Sequence, residues 1–253
     1  MNRYDSIKRL REKLKSGQPS IGSWIQIPHP SIAEIMGQAG YDWVAVDLEH
    51  GSIGVHQLPD LFRALELGDT LPLARVATGN PQDCKQALDA GAAGVIVPMI
   101  ESARQLVDVR DACRWPPAGK RGVGFSRANL FGKRFMSYRK EAQEPLLVGM
   151  IESISAVDSL NEILSVDGLD AIFIGPYDLS ASMGLTSQFD NPAFCRSMEL
   201  IRALARSVST PVGLHVVEPS REELKSRIDE GYQFIAYSID SVMLEAISNY
   251  ADP

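Results

Sequence analysis

Eight short apolar runs, each followed by a stretch with helical spacing, limit what this chain can fold into more than any other feature. They stand at 21–27 (IGSWIQI), 43–51 (WVAVDLEHG), 71–76 (LPLARV), 94–100 (GVIVPMI), 146–151 (LLVGMI), 171–174 (AIFI), 211–217 (PVGLHVV) and 234–240 (FIAYSID). Several are apolar almost throughout, the pattern of strands covered on both faces in a parallel sheet. Between them PHPSIAEIMGQAG ends a capped helix at Gly40, and helices near 57–67, 81–91, 103–113, 197–208 and 220–230 return the chain to the next strand. This alternation, with no Pro/Ser/Gly-rich linker inside it, predicts one α/β domain over residues 1–253, a single (β/α)8 TIM barrel. An amphipathic helix at about 6–16, with Ile7, Leu10 and Leu14 on one face, precedes the first strand and reads as a lid over one end. Pro116-Pro117 and the glycines of RWPPAGKRGVGFSRANLFG break both periods, so a long loop over one face is expected near 115–140.

Charge and composition narrow the function classes. A formal net charge of -7, with no Lys/Arg run interleaved with aromatics, argues against a nucleic-acid partner. Cys84, Cys113 and Cys195 are odd in number and lack zinc-like spacing, which fits a reducing cytoplasm better than a disulfide framework. The opening MNRYDSIKRLREKLKSGQPS has no apolar core, and no later run is long enough to cross a bilayer, so neither a signal peptide nor a membrane span is expected.

In such barrels the chemistry sits at the carboxyl ends of the strands, and the polar residues here gather there. The second run ends in Asp47, Glu49 and His50, the third carries Arg75, and Glu152 follows the fifth. Asp178 follows the sixth, His215 lies on the seventh and Asp240 ends the eighth. Glu152 and Asp178, two acids at consecutive strand ends, suit a shared divalent metal with oxygen ligands; the bland alternative is that each caps the next helix. His50 is a candidate base, with Asp47 three residues earlier able to fix its tautomer, or else an ordinary polar residue. Arg75 either makes a rim salt bridge with Glu49 or Asp47, or polarises a carbonyl and neutralises an enolate. His215 reads as core or supporting, and Asp240 as an N-cap.

The motifs YDWVAVDLEHG, LARV, GAAGVIVPMIESA, WPPAGKRGVG, GMIES and IGPYDLSASMG, in this order, resemble those of the HpcH/HpaI family of class II, metal-dependent 2-keto acid aldolases, and the resemblance spans roughly 21–240. It implies a (β/α)8 aldolase that binds pyruvate or a related 2-keto acid through magnesium, manganese or cobalt and joins it to an aldehyde. By position in the motifs, Glu152 and Asp178 would be metal ligands, His50 the general base with Asp47 behind it, and Arg75 the enolate-stabilising arginine. The backbone N–H groups of Tyr177 and Asp178 would hold the keto acid carboxylate, and the chain would form a homo-oligomer, a hexamer in the family.

This chain departs from the family at Met150, where several members carry glutamine, at Tyr177, where a smaller residue is commoner, and in the loop 125–139, which is expected to admit a different aldehyde. A Schiff-base aldolase needs a lysine near a strand end, yet Lys8, Lys13, Lys15, Lys85, Lys120, Lys133, Lys140 and Lys225 all fall in predicted helices or loops. A non-catalytic keto-acid-binding barrel, and a lyase decarboxylating oxaloacetate through the same enolate, are the alternative readings.

Overall fold

Side chains along a strand point alternately to opposite faces, and here the two faces serve two different cores. On the fifth strand Leu146, Val148 and Met150 join an inner cluster, while Leu147 and Ile151 join the shell beneath the helices. The computed structural model describes residues 1–248. Its strands are β1 (Ser20–Ile25), β2 (Trp43–Asp47), β3 (Leu71–Arg75), β4 (Gly94–Val97), β5 (Leu146–Ile151), β6 (Ala171–Ile174), β7 (Val212–Val216) and β8 (Phe234–Ile239). All are parallel, and β8 pairs with β1 to close the sheet into the expected (β/α)8 barrel. The seam carries a register shift: Gly22 faces Ala236 and Trp24 faces Ile239, with Ser238 accommodated at φ 53°.

Aromatic side chains fill the barrel. Trp43 stacks on Phe234 with centroids 4.3 Å apart, and Trp24 meets Trp43 and Phe173 edge-on. Glycine is required at Gly22, because a Cβ there would stand 2.1 Å from the Trp43 ring. The N-terminal helix Arg3–Lys15 adds Ile7, Leu10 and Leu14 to this inner cluster and closes the amino end, as its apolar stripe predicts. Arg11 holds it to Asp170, just before β6, and Lys13 holds it to Asp42, just before β2.

The segment expected as a loop through 140 is partly helical. Residues Phe135–Gln143 form a helix whose Tyr138 and Ala142 pack on Trp115. Its location is a second correction. The segment leads from a helix into β5, so it runs at the amino end: Arg127 donates to Glu66 and to the Ala90 carbonyl, and Arg3 donates to the Ala128 carbonyl. Within its own barrel it therefore does not border the carboxyl-end residues and cannot shape aldehyde access there. No helix among the described residues is long and apolar enough to cross a membrane.

Candidate active site

The same alternation that fills the barrel raises the polar residues onto it. Asp47 continues the inward series Trp43 and Ala45, Arg75 continues Leu71 and Leu73, and Glu152 continues Val148 and Met150. Gln26 follows Trp24 in the same way. A polar layer thus rests directly on an apolar plug.

Asp47 and Arg75 are register partners on adjacent strands. Their side chains form a fork, Nε to Oδ1 at 2.8 Å and Nη2 to Oδ2 at 2.7 Å. Gln26 Nε2 donates to Asp47 Oδ2 at 2.9 Å, and the backbone N–H groups of Glu49 and His50 donate to Oδ1. Burial pushes the Asp47 carboxyl up, but the Arg75 fork and these donors outweigh it and hold it below the usual carboxylate range. The Arg75 guanidinium also lies 4.6 Å from the centre of the Trp24 ring, a cation–π contact.

This arrangement corrects the expected Asp47–His50 dyad. Asp47 meets His50 only through the backbone N–H, because both carboxylate oxygens are taken by Arg75 and Gln26. The imidazole is 59% exposed, and Nε2 lies 3.9 Å from Glu49 Oε2. Asp240 is likewise more than a cap. Besides Ser241 N–H it accepts the N–H groups of Gln26 and Ile27, at 2.8 and 2.9 Å, and so ties the end of β8 to the end of β1. His215 is where a supporting role places it: Nε2 lies 3.1 Å from the Ser238 carbonyl, and burial pulls its pKa down to about 4.

Glu152 is only 4% exposed. One carboxylate oxygen accepts Met99 N–H at 2.9 Å, and Met99 sits in the left-handed region at φ 52° to present it. The other lies 2.3 Å from where a Cβ on Gly175 would stand, so glycine leaves the carboxylate its room. Burial pushes the Glu152 pKa up to about 7; Met99 opposes this, the Glu49 and Asp178 carboxylates add to it, and Arg75 opposes them weakly. Glu49 Oε2 is buried 3.4 Å from Arg75 Nε yet makes no hydrogen bond, because Arg75 Nε is aimed at Asp47. Asp178 stands exposed in the first turn of the helix Pro176–Ser182, where its N–H and that of Tyr177 have no intrahelical acceptor. Met150 is buried in the inner cluster beneath Glu152.

Carboxylates therefore outnumber cations at this end. Two hard oxygen donors with a buried, under-compensated charge fit a divalent cation of the magnesium type, which takes one or two carboxylates and completes its shell with water or substrate. No group of three or more His, Cys, Asp and Glu among the described residues is arranged to hold a metal, so a closed structural site is not formed. Sequence reasoning gave no role to Gln26 or to the Met99 N–H. Gln26 was visible as the polar residue ending an apolar strand; the Met99 contact is a backbone group and has no sequence signal.

The sequence profile described as HpcH/HpaI aldolase/citrate lyase matches residues 20–246. The chain belongs to this family. Among its curated relatives, a hydroxypyruvate/pyruvate aldolase of Roseobacter denitrificans is 35% identical over 94% of this chain and 93% of its own. A 4-hydroxy-2-oxovalerate aldolase of Novosphingobium aromaticivorans is 37% identical, over 93% and 89%. A solved HpcH/HpaI aldolase/citrate lyase family protein from Burkholderia cenocepacia J2315 superposes with a TM-score of 0.89 at 29% identity, covering 96% of this chain and 97% of that one. With aldolases of this family similar along nearly its whole length, this HpcH/HpaI protein is a carbon–carbon lyase, as the motifs implied.

Proposed function

We propose that this protein is a divalent-metal-dependent class II aldolase that reversibly cleaves a 4-hydroxy-2-keto acid to pyruvate, or a related 2-keto acid, and an aldehyde. The observation that carries the proposal is the buried Glu152 carboxylate, crowded by Glu49 and Asp178, with the nearest guanidinium already forked to Asp47. In this reading Glu152 and Asp178 hold magnesium, manganese or cobalt. When bound, the ion supplies Lewis-acid polarisation of the keto acid.

The chain's own groups supply the rest. The free N–H groups of Tyr177 and Asp178 receive the keto acid carboxylate, as helix N-termini do for anions. Arg75 makes no hydrogen bond through Nη1 among the described residues, and that edge faces the enolate oxygen as it gains charge. Asp47 and Gln26 position Arg75 by fixing its fork. The exposed imidazole of His50 takes the proton from the C4 hydroxyl in cleavage and returns it in condensation. No lysine lies in a strand or at its carboxyl end among the described residues, so an imine route has no candidate nucleophile. Oxaloacetate decarboxylation through the same enolate is an expected side activity.

The reading extends to a cytoplasmic homo-oligomer, hexameric by family resemblance. Phe125, Phe131 and Met136 are 70–74% exposed, and Cys84, Cys113 and Cys195 are free thiols. Sedimentation gives the subunit number. Chelation followed by add-back of single metals, with metal content measured beside turnover on pyruvate and an aldehyde panel, tests the activity. Full turnover by metal-free protein overturns it.

A further inference from the structure

A cavity of about 520 Å³ opens beside the acids, between the helix Pro192–Ser207 and the helix Arg221–Asp229. It shares Pro176, Tyr177 and His215 with the carboxyl-end layer, so it begins one residue from Asp178. Its mouth is aromatic: Tyr177, 55% exposed, meets Phe189 edge-on at 5.0 Å, and Met198 and Leu214 continue the apolar wall. The walls farther in are charged, and the charges are unequal. Arg227 is engaged by Glu223 and Glu230, and Arg202 by Glu230. Asp190, Glu199 and Glu218 also line the cavity, and none of the three has an ion-pair partner among the described residues.

We propose that this cavity receives the chain of the aldehyde, and that Glu199 and Glu218, with Asp190, select an uncharged aldehyde over one bearing a carboxylate. The inference rests on the aldolase reading and adds a substrate class to it. The aldehyde carbon must reach the enolate near Arg75 and Glu152, and the cavity that starts at Tyr177, next to Asp178, offers room for the chain behind it. An apolar or hydroxylated chain is accepted there by the aromatic mouth and the acceptor oxygens beyond it. A second carboxylate would instead meet five acids against two guanidiniums, each already within ion-pair distance of Glu230 though with its Nε unpartnered, and the net repulsion tells between partners more than it adds affinity.

The experiment compares kcat/KM for condensation of pyruvate with butanal and with 4-oxobutanoate, which match in carbon count and differ in one carboxylate. Wild-type enzyme should prefer butanal by about tenfold or more, the effect of two to three like charges at partly solvated range. Glu199→Gln and Glu218→Gln should each shrink the ratio about two- to fourfold, the double variant should shrink it further, and added salt should act in the same direction. Both residues are exposed, so folding is not at stake. Exchange of the pyruvate methyl protons with solvent, followed by NMR without any aldehyde, is read in parallel. Exchange with a ratio near one, or a ratio unmoved in the double variant, overturns this inference alone; absence of exchange in metal-loaded wild type overturns the aldolase reading beneath it.

Discussion

The two ends of the barrel treat charge in opposite ways. At the amino end the charges around the first helix are answered: Arg3 bonds Glu141 and Glu66, Arg127 bonds Glu66, Arg11 bonds Asp170 and Lys13 bonds Asp42. At the carboxyl end Glu49, Glu152 and Asp178 crowd one guanidinium that Asp47 has already taken. A closed set of pairs holds a helix against strand starts. An open set is costly in the free protein, because buried like charges raise each other's proton affinity, and it becomes favourable only when a cation joins it. The difference marks which end waits for a ligand.

The largest effect should come from breaking the open set. Glu152→Ala should lower turnover by about 10³-fold or more, the scale of a lost Lewis acid, and added magnesium, manganese or cobalt should not restore it. Wild type stripped with a chelator should fall as far and recover on metal addition. Metal content and kcat/KM measured together decide this, and a Glu152→Ala enzyme that keeps both would remove the metal site from Glu152.

Next in size are Arg75 and His50, which divide the chemistry between them. Arg75→Ala should depress aldol cleavage and oxaloacetate decarboxylation alike by about 10²–10³-fold, since both pass through the enolate, and Arg75→Lys should recover only part of this. His50→Ala should cost cleavage about 10²-fold and largely spare decarboxylation, which has no C4 hydroxyl. Asp47→Asn sharpens the comparison. If Asp47 orients Arg75, as its fork indicates, the variant should follow the Arg75 pattern and lower both reactions. If it lowers cleavage alone, Asp47 serves the imidazole after all.

A smaller, thermodynamic effect follows from Glu152 itself. In metal-free protein its pKa is raised from the ordinary 4.5 to about 7, so between those values the folded state keeps a proton that the unfolded chain has released. Stability from this group is therefore lost as pH rises through that window, by about 3 kcal/mol. His215 runs the other way. With a pKa lowered from 6.5 to about 4, it costs stability as pH falls through that range, because the unfolded chain takes up a proton that the buried ring refuses. Glu152→Gln keeps an acceptor for Met99 N–H and removes only the first contribution. Its denaturation free energy minus that of metal-free wild type should grow by about 3 kcal/mol from below pH 4.5 to above pH 7, and saturating metal should shrink the gap. A constant difference across that range would mean that Glu152 is not buried as a proton-holding acid.

The fold was legible because apolar runs ending in acids repeat with a helix between them, and the strand ends delivered Asp47, Arg75, Glu152 and Asp178 to one face. Pairings across the barrel were not legible. Gln26 and Asp240 meet only because β8 closes onto β1, and which carboxylate Arg75 takes depends on the β2–β3 register that sets Asp47 opposite it. Spacing along the chain therefore favoured His50 as the partner of Asp47, where spacing across the sheet favours Arg75. The loop 125–139 is given an aldehyde role by its departure from the family pattern, yet topology decides its end within its own barrel: a connector from helix to strand lies at the amino end, however many aromatics it carries.

The smallest effect should come from the closed end, and its smallness is the test. Arg11 donates Nε and Nη2 to the two Asp170 oxygens at 2.6 and 3.0 Å, and Nη2 also reaches the carbonyls of Glu144 and Pro145. Arg11→Ala removes a mostly buried, charge-assisted fork and should cost about 2 kcal/mol of unfolding free energy. Asp170 keeps Leu147 N–H as a donor, so its charge is not wholly abandoned and the loss stays short of that of a fully broken buried pair. Arg11→Lys should recover part of it, since an ammonium meets the carboxylate but cannot span both oxygens and the carbonyls at once. Because the inner aromatic cluster lies between Arg11 and the polar layer, neither variant should change kcat/KM or the metal concentration for half-activity at temperatures well below melting. Urea denaturation supplies the first quantity, and a metal titration of turnover supplies the second. A shift of more than about twofold in the metal midpoint of Arg11→Ala, with the protein fully folded, would show that the two ends are coupled through the packed interior, and the contrast between a closed and an open end would no longer describe independent regions.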